Sequence, residues 1–114
     1  MSRIVLVVDV EPLILDLTAS MLEDLGCEVV TAASGADALE KLKAEKRIEI
    51  LITDIQMPGL DGYELAEKAK RERPDLQVIV CSGRASAEHG FPLIRKPFTQ
   101  EGLARLMART TALC

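Results

Sequence analysis

The stretch Ile50–Gly62, with the sequence ILITDIQMPGLDG, decides the fold of this chain. Its first four residues, Ile50–Thr53, form a nearly continuous apolar and β-branched run, which is typical of a parallel strand buried on both faces. Asp54 follows this run directly, and Asp61 with Gly62 has the composition of a turn or helix cap. The stretch therefore predicts a buried strand that ends in a carboxylate and is followed by a helix.

Other apolar runs on both sides of this stretch predict the remaining strands. Ile4–Val8 and Leu76–Cys81 have the same continuous apolar character. Glu28–Ala32 and Pro92–Arg95 are weaker examples. Five strands are therefore expected, and the strongest three should be buried on both faces of one parallel sheet.

Segments with helical periodicity lie between these runs. Leu13–Leu25 predicts the first helix, Ser34 is the expected N-cap of the second, and Gly62–Glu72 predicts the third. A last helix should begin after Thr99. The first helix places four apolar side chains at helical spacing: Ile14, Leu17, Met21 and Leu25. Alternation of strands and helices with short loops predicts an α/β fold with a doubly wound parallel sheet and right-handed crossovers.

Length and composition limit the possible functions. The 114 residues fit a single domain over 1–114, and 48% of them are hydrophobic. The net charge of −4 argues against binding to a nucleic-acid backbone. Ile4–Val8 is too short for a membrane span or a signal peptide, so a cytoplasmic protein is expected. Its three cysteines, Cys27, Cys81 and Cys114, are expected to be free thiols.

Polar side chains follow four of the predicted strands. Asp9 follows the first, with Glu11 two residues later, and Asp54 follows the third. Ser82 follows the fourth strand, and Lys96 follows the fifth. Because ligands of doubly wound sheets bind outside the carboxyl ends of the strands, these side chains should share one site.

This set of side chains favours phosphoryl chemistry with a divalent cation. Crowded carboxylates repel each other, and Mg²⁺ held by one or two carboxylates relieves that repulsion. Asp54 is then the candidate nucleophile, and Lys96 supplies a compact positive charge for phosphoryl oxygens. The Ser82 hydroxyl adds a hydrogen bond to the same group.

Four segments resemble, in order, the signature of response-regulator receiver domains of two-component systems: VVDVEP at 7–12, TDIQMPGLDG at 53–62, SG at 82–83 and KPF at 96–98. The resemblance implies a flavodoxin-like five-stranded sheet in the order 2-1-3-4-5. It implies that Asp54 is the phosphoacceptor, that Ser82 is the switch hydroxyl and that Lys96 pairs with the phosphoryl group. It also implies Mg²⁺ as cofactor, held by Asp9, Asp54 and the backbone carbonyl of Gln56.

The same resemblance implies the partners. The phosphodonor would be a histidine kinase or a histidine phosphotransfer protein, and the output would be a contact with a downstream protein. Direct nucleic-acid or membrane binding is not expected, and homodimerisation is left open. The chain resembles both stand-alone receivers and receivers attached to hybrid kinases.

Three positions depart from the family pattern. Val10 stands where receivers usually carry a second acid, which predicts weak Mg²⁺ binding unless Glu11 substitutes; a solvated Glu11 is the equal alternative. Gly83–Phe91 is too short for a full helix with two loops, so the fourth helix should be shortened or missing. Leu93 stands where many receivers carry an aromatic switch residue.

Two other functions compete with the phosphorylated switch. A pseudo-receiver would keep the fold and bind a partner without phosphorylation, because Val10 has removed efficient metal use. A phosphatase of the haloacid-dehalogenase type would use Asp9 as nucleophile and Glu11 as acid or base, since Val-Asp-Val-Glu faintly resembles the first-strand motif of that family.

Overall fold

The computed structural model describes residues 3–55, 61–82, 93–95, 101–102 and 104–105, with the backbone alone for 82 and 93–95. The helices and strands run in this order: β1 (Ile4–Val8), α1 (Pro12–Asp24), β2 (Glu28–Ala32), α2 (Gly35–Ala44), β3 (Ile48–Asp54), α3 (Gly62–Glu72), β4 (Gln77–Ser82) and β5 (Leu93–Arg95).

These strands form one parallel sheet of five, in the order β2-β1-β3-β4-β5. The predicted flavodoxin-like, doubly wound α/β fold is therefore confirmed, including its strand order. The segment Gly83–Phe91, where a shortened or missing fourth helix is expected, lies outside the described residues, as does Thr99. Residues 101, 102, 104 and 105 are helical, where the last helix is predicted.

β3 and β4 begin at other residues than the sequence predicts. β3 begins at Ile48, two residues earlier than predicted, because Ile48 pairs with Ile4 of β1. β4 begins at Gln77, one residue later, because the N–H of Leu76 donates a 3.0 Å hydrogen bond to the carbonyl of Arg73. Leu76 is buried nonetheless, which explains why its apolar side chain looked like part of the strand.

The core lies on both faces of the sheet, as continuous apolar strands require. On one face, the strands pack against α2 and α3 through Ala38, Leu42, Leu65, Ala66 and Ala69. On the other face, the strands pack against α1 through Leu22, with Leu15 and Met21 at the margin. Residues that alternate along each strand divide between these two clusters.

Helix α1 buries only part of the apolar stripe that the sequence spacing indicates. Leu17 of that stripe is 55% exposed, whereas Met21 packs at the margin of the core. Thr18 and Leu22, each one position further along, are buried. Successive side chains on an α-helix point about 100° apart. A shift of one position in the predicted stripe therefore exchanges a buried residue for an exposed one. The apolar spacing in α1 admits both alignments, and packing against the sheet selects the second.

The helix starts agree with the predicted caps. Ser34 Oγ accepts a hydrogen bond of 3.1 Å from the Asp37 N–H at α2. Asp61 Oδ1 accepts one of 2.9 Å from the Glu64 N–H at α3. Each bond satisfies a backbone donor that the helix leaves unpaired.

The expectation that the cysteines form no disulfide holds for one of them and is wrong for another. Cys81 is buried, and its sulfur forms no disulfide bond. Cys27, directly before β2, is disulfide-bonded. In the described part of the chain, no helix combines the length and the apolar character needed to span a membrane.

Candidate functional site

Strand register brings the two predicted carboxylates to the same level of the sheet. Val8 of β1 pairs with Thr53 of β3. Asp9 directly follows Val8, and Asp54 directly follows Thr53. β1 and β3 are neighbours in the sheet. Two acidic residues 45 positions apart in sequence thus meet at the carboxyl edge.

Two hydrogen bonds fix the position of Asp9, one donated by its backbone N–H and one accepted by its carboxylate. Its side chain is 4% exposed. Its N–H donates to the carbonyl of Ala32 at 3.2 Å, which continues the β1–β2 pairing past the end of the strand. Its Oδ1 accepts 3.0 Å from the N–H of Glu11, the residue before α1. Asp9 therefore joins the end of β1 to the start of α1 while its carboxylate stays at the site.

Asp54 is the last residue of β3 and is half-buried. Side chains alternate along a strand, so Asp54 shares a face with Ile50 and Ile52, which belong to the cluster under α1. The preceding residue, Thr53, is fully buried, and its hydroxyl donates a 2.9 Å hydrogen bond to the Asp54 carbonyl. The acidic side chain lies at a solvent-reachable edge on a rigid strand.

The start of α3 lies directly against the end of β3. The N–H of Gly62 donates a 2.8 Å hydrogen bond to the carbonyl of Ile55. A β-carbon on Gly62 would stand 2.1 Å from the Asp54 carbonyl oxygen. The sequence predicted Gly62 only as a helix start; the Asp-Gly pair at 61–62 was the available signal, but it cannot show which strand the glycine touches.

The residues after Asp9 supply little to the site. Val10 is 37% exposed, and Glu11 is exposed and forms no capping side-chain hydrogen bond at α1. Within residues 3–55, 61–82 and the short described segments beyond, no group of three His, Cys, Asp or Glu side chains is placed to share a metal ion. A metal at this edge would thus rest on the carboxylates of Asp9 and Asp54, both oxygen donors of the kind Mg²⁺ prefers.

The other predicted site residues are only partly described. Ser82 ends β4, and its backbone pairs with Arg95 of β5, so it reaches the same edge as Asp54. Its side chain lies outside the described residues. Gln56 and Lys96 also lie outside them, although Lys96 directly follows the last residue of β5.

Exposed apolar side chains lie beside this edge. Leu13 in the first turn of α1 is 82% exposed, and Leu17 one turn later is 55% exposed. Residues four apart on a helix share one side, so the two form a continuous apolar surface with Val10 near its end. We refer to Val10, Leu13 and Leu17 as the α1 apolar surface.

Comparison with known proteins identifies the relationships of the chain. The family model described as response regulator receiver domain matches residues 5–107. The nitrogen assimilation regulatory protein NtrX of Azorhizobium caulinodans is 34% identical over 96% of this chain and 26% of its own length. The sensor protein GacS of Pseudomonas syringae is 30% identical over 96% of this chain and 13% of its own. The chain thus spans about a quarter or less of these curated relatives.

Solved structures agree with the fold. The chemotaxis protein CheY4 of Vibrio cholerae superposes with a TM-score of 0.90 at 28% identity, covering 96% of this chain and 99% of the other. A CheY-like receiver domain protein of Methanospirillum hungatei gives 0.87 at 32% identity, covering 96% and 93%. Sequence and structure therefore point to the same relatives.

Proposed function

This chain belongs to the response regulator receiver domain family of two-component signalling, and on that premise we propose that it is a phosphoacceptor switch modified on Asp54. The proposed unit is a single receiver domain over 1–114 that acts in the cytoplasm. Its only chemistry would be its own phosphotransfer from a phosphohistidine donor. Its output would be a contact with a downstream protein.

The observation that carries this proposal is the register of β1 and β3. It brings Asp9 and Asp54 to one level of neighbouring strands, with Asp9 buried and Asp54 half-buried. A half-buried carboxylate at a strand end can be reached by a donor and still be oriented by its strand. The buried carboxylate beside it supports a cation-binding role, since carboxylate oxygens are the donors that Mg²⁺ prefers.

The reaction would be a displacement at phosphorus. A carboxylate oxygen of Asp54 forms the new P–O bond, and the bond between phosphorus and the donor's imidazole nitrogen breaks. The electron pair of that bond returns to the imidazole, whose other ring nitrogen carries a proton in the donor, so that the imidazole leaves neutral. Atoms and charge balance without any further reactant.

The remaining roles are those that the family resemblance implies. Asp9, Asp54 and the Gln56 backbone carbonyl would hold Mg²⁺, which when bound neutralises carboxylate and phosphoryl oxygens. Lys96 would pair with the phosphoryl group from the end of β5. Ser82 at the end of β4 would donate a hydrogen bond to it. The phosphoryl group adds a charge of roughly −1.5 to −2. That added charge would shift the equilibrium between two conformations of the carboxyl edge.

The α1 apolar surface supports a protein as the phosphodonor. A donor protein must bring its phosphohistidine to Asp54, so that protein has to cover the surface around the carboxyl edge of the sheet. Leu13 and Leu17 lie on the helix that begins three residues after Asp9, and both are exposed. A histidine kinase or histidine phosphotransfer protein with an apolar helical surface would fit this face. The sensor histidine kinase RcsC of Escherichia coli is among the similar proteins.

Val10 favours a second candidate function, the pseudo-receiver. An exposed valine stands where the family usually places an acid, and the described carboxylates form no group of three. Beryllium fluoride with Mg²⁺ separates the two functions by the amide resonances around Ser82. Large shifts would support the switch, and an unchanged spectrum would support constitutive partner binding.

Labelling with acetyl phosphate tests the main proposal. Wild type, Asp54→Asn and Asp9→Asn are incubated with and without Mg²⁺, and the modified residue is located by mass spectrometry after borohydride reduction. We expect label on Asp54 that needs Mg²⁺, and none in Asp54→Asn. Label on Asp9 would support the haloacid-dehalogenase alternative instead. No label in any protein would contradict the phosphoacceptor role.

A further inference from the structure

The first residue of α3 lies against the main chain of Asp54 and Ile55. A β-carbon on Gly62 would stand 2.1 Å from the Asp54 carbonyl oxygen and 2.6 Å from Ile55 Cα. Ordinary van der Waals contact begins at 3.4 Å. Gly26 is the only glycine with positive φ in the described part of the chain, so Gly62 is required for space and not for its backbone angles.

Two hydrogen bonds act on the same short piece of main chain. Gly62 N–H donates to the Ile55 carbonyl at 2.8 Å. The Thr53 hydroxyl donates to the Asp54 carbonyl at 2.9 Å from a fully buried position. The Asp54 carbonyl is thus held from one side by the α-carbon of Gly62 and from within the strand by Thr53. Both contacts fix the main chain at Asp54 and Ile55, from which the Asp54 side chain projects.

We infer that Gly62 and Thr53 are positioning residues for phosphotransfer, which hold the Asp54 carboxylate in the orientation that the reaction needs. This inference rests on the proposed phosphoacceptor role of Asp54. Neither residue would touch the phosphoryl group; both act through the backbone of Asp54. Gly62 is therefore required because it is the one residue small enough to let α3 lie against that carbonyl.

A side chain at position 62 should misplace Asp54. To restore contact at 3.4 Å, α3 or the end of β3 would have to shift by about 1.3 Å from the observed 2.1 Å. A displacement of about 1 Å in a reacting group can cost roughly a hundredfold in rate. Loss of the Thr53 hydroxyl does not change the room between Gly62 and the Asp54 carbonyl. Its effect on the labelling rate should therefore be smaller than that of Gly62→Ala.

The experiment compares Gly62→Ala with two matched controls. Gly35→Ala makes the same change at the same position of α2, the residue after a capping side chain. Leu65→Ala removes a buried side chain of α3 without adding an atom near Asp54. All proteins are labelled over a range of acetyl phosphate concentrations, at a temperature where circular dichroism shows them folded. Thr53→Val removes the hydroxyl, and Thr53→Ser retains it.

We expect Gly62→Ala to lower the maximal labelling rate about a hundredfold with an unchanged half-saturating concentration, while both controls stay within about twofold of wild type. Thr53→Val should slow labelling, and Thr53→Ser should restore it. A Gly62→Ala protein that labels as fast as Gly35→Ala would overturn the inference. If Gly62→Ala does not fold, equal rates for Thr53→Val and Thr53→Ser would overturn it.

The apo protein gives a readout that does not depend on phosphorylation. Amide resonances of Asp54 and Ile55 should shift in Gly62→Ala and Thr53→Val and stay in place in Gly35→Ala. If wild type takes no label, the proposed function fails, and these resonances decide only the claim that Gly62 and Thr53 fix the backbone at Asp54. Unchanged resonances would then reject it.

Discussion

The Oδ1 atom of Asp9 accepts a 3.0 Å hydrogen bond from the backbone N–H of Glu11. This bond spans Val10, the position where the family usually carries its second acid. The turn that it closes orients the Asp9 carboxylate and leaves the Val10 side chain 37% exposed. A carboxylate at position 10 could therefore be added without burying it.

Val10→Asp should strengthen Mg²⁺ binding by about tenfold or more, because it adds an oxygen ligand to a site built on two carboxylates. Titration of Mg²⁺ by isothermal calorimetry measures the change. Val10→Asn is the matched control, of the same size and without charge. Equal affinities in wild type and Val10→Asp would reject the hypothesis that Val10 weakens Mg²⁺ binding.

Asp61 should contribute to stability as a helix cap and not as a metal ligand. Asp61→Ala is expected to lower the free energy of unfolding by about 1 kcal/mol, because the Glu64 N–H loses its acceptor. Asp61→Ser should retain most of that stability, since serine also caps helices. Ser34→Ala, the equivalent cap of α2, should cost a similar amount. Urea unfolding measures all three, and a Mg²⁺ affinity that falls in Asp61→Ser would contradict the cap role.

The α1 apolar surface should matter for a protein donor and not for a small one. Leu13→Ser is expected to slow phosphotransfer from a phosphohistidine protein by about fivefold or more, the effect of losing a contact worth about 1 kcal/mol. Labelling by acetyl phosphate should stay unchanged, because Leu13 is 82% exposed and supports no core. Ser20→Ala, an exposed change on the same helix, is the control. Equal slowing with both donors would show that Leu13 acts on Asp54 itself.

The two faces of α1 should differ sharply in stability. Leu22→Ala is expected to lower the free energy of unfolding by about 2–5 kcal/mol, since Leu22 is fully buried. Leu17→Ala should cost less than about 0.5 kcal/mol, since Leu17 is 55% exposed. Urea denaturation compares the pair directly. Similar losses in both variants would mean that α1 packs with a different face inward.

An exposed ion pair should make stability depend on pH in the acid range. Hydrogen bonds from the Arg47 side chain and backbone hold the pKa of Glu45 at about 2, below its ordinary 4.5. The unfolded chain therefore binds more protons between these values, so the contribution is present above pH 4.5 and is lost as pH falls toward 2. Glu45→Gln should lower the urea midpoint slightly at pH 7, have a smaller effect near pH 3 and lose its effect as the pH approaches 2.

Salt provides the check on this interpretation. Arg47 is largely exposed, so added salt should reduce the difference between wild type and Glu45→Gln at pH 7. Glu23→Gln, at an exposed position near the end of α1, is the control. A difference that grows as the pH falls would contradict the direction of the pKa shift.

Much of the site could be predicted because its residues directly follow periodic segments. Asp9 and Asp54 come after apolar runs, and parallel strands deliver such residues to one edge. The caps at Ser34 and Asp61 could be predicted from local chemistry alone. The inward face of α1 could not be predicted from the sequence, because two alignments of its apolar residues are compatible with helical spacing.

The sequence by itself determined the kind of each segment, the edge at which the acidic residues emerge and the family to which they belong, because these depend on periodicity and on motifs local to the chain. Tertiary structure alone decided that Val8 pairs with Thr53, that Leu17 faces solvent and that Gly62 touches the Asp54 carbonyl. Those relationships join segments distant in sequence, and they are fixed by close packing and by backbone hydrogen bonds that form only when the sheet is assembled.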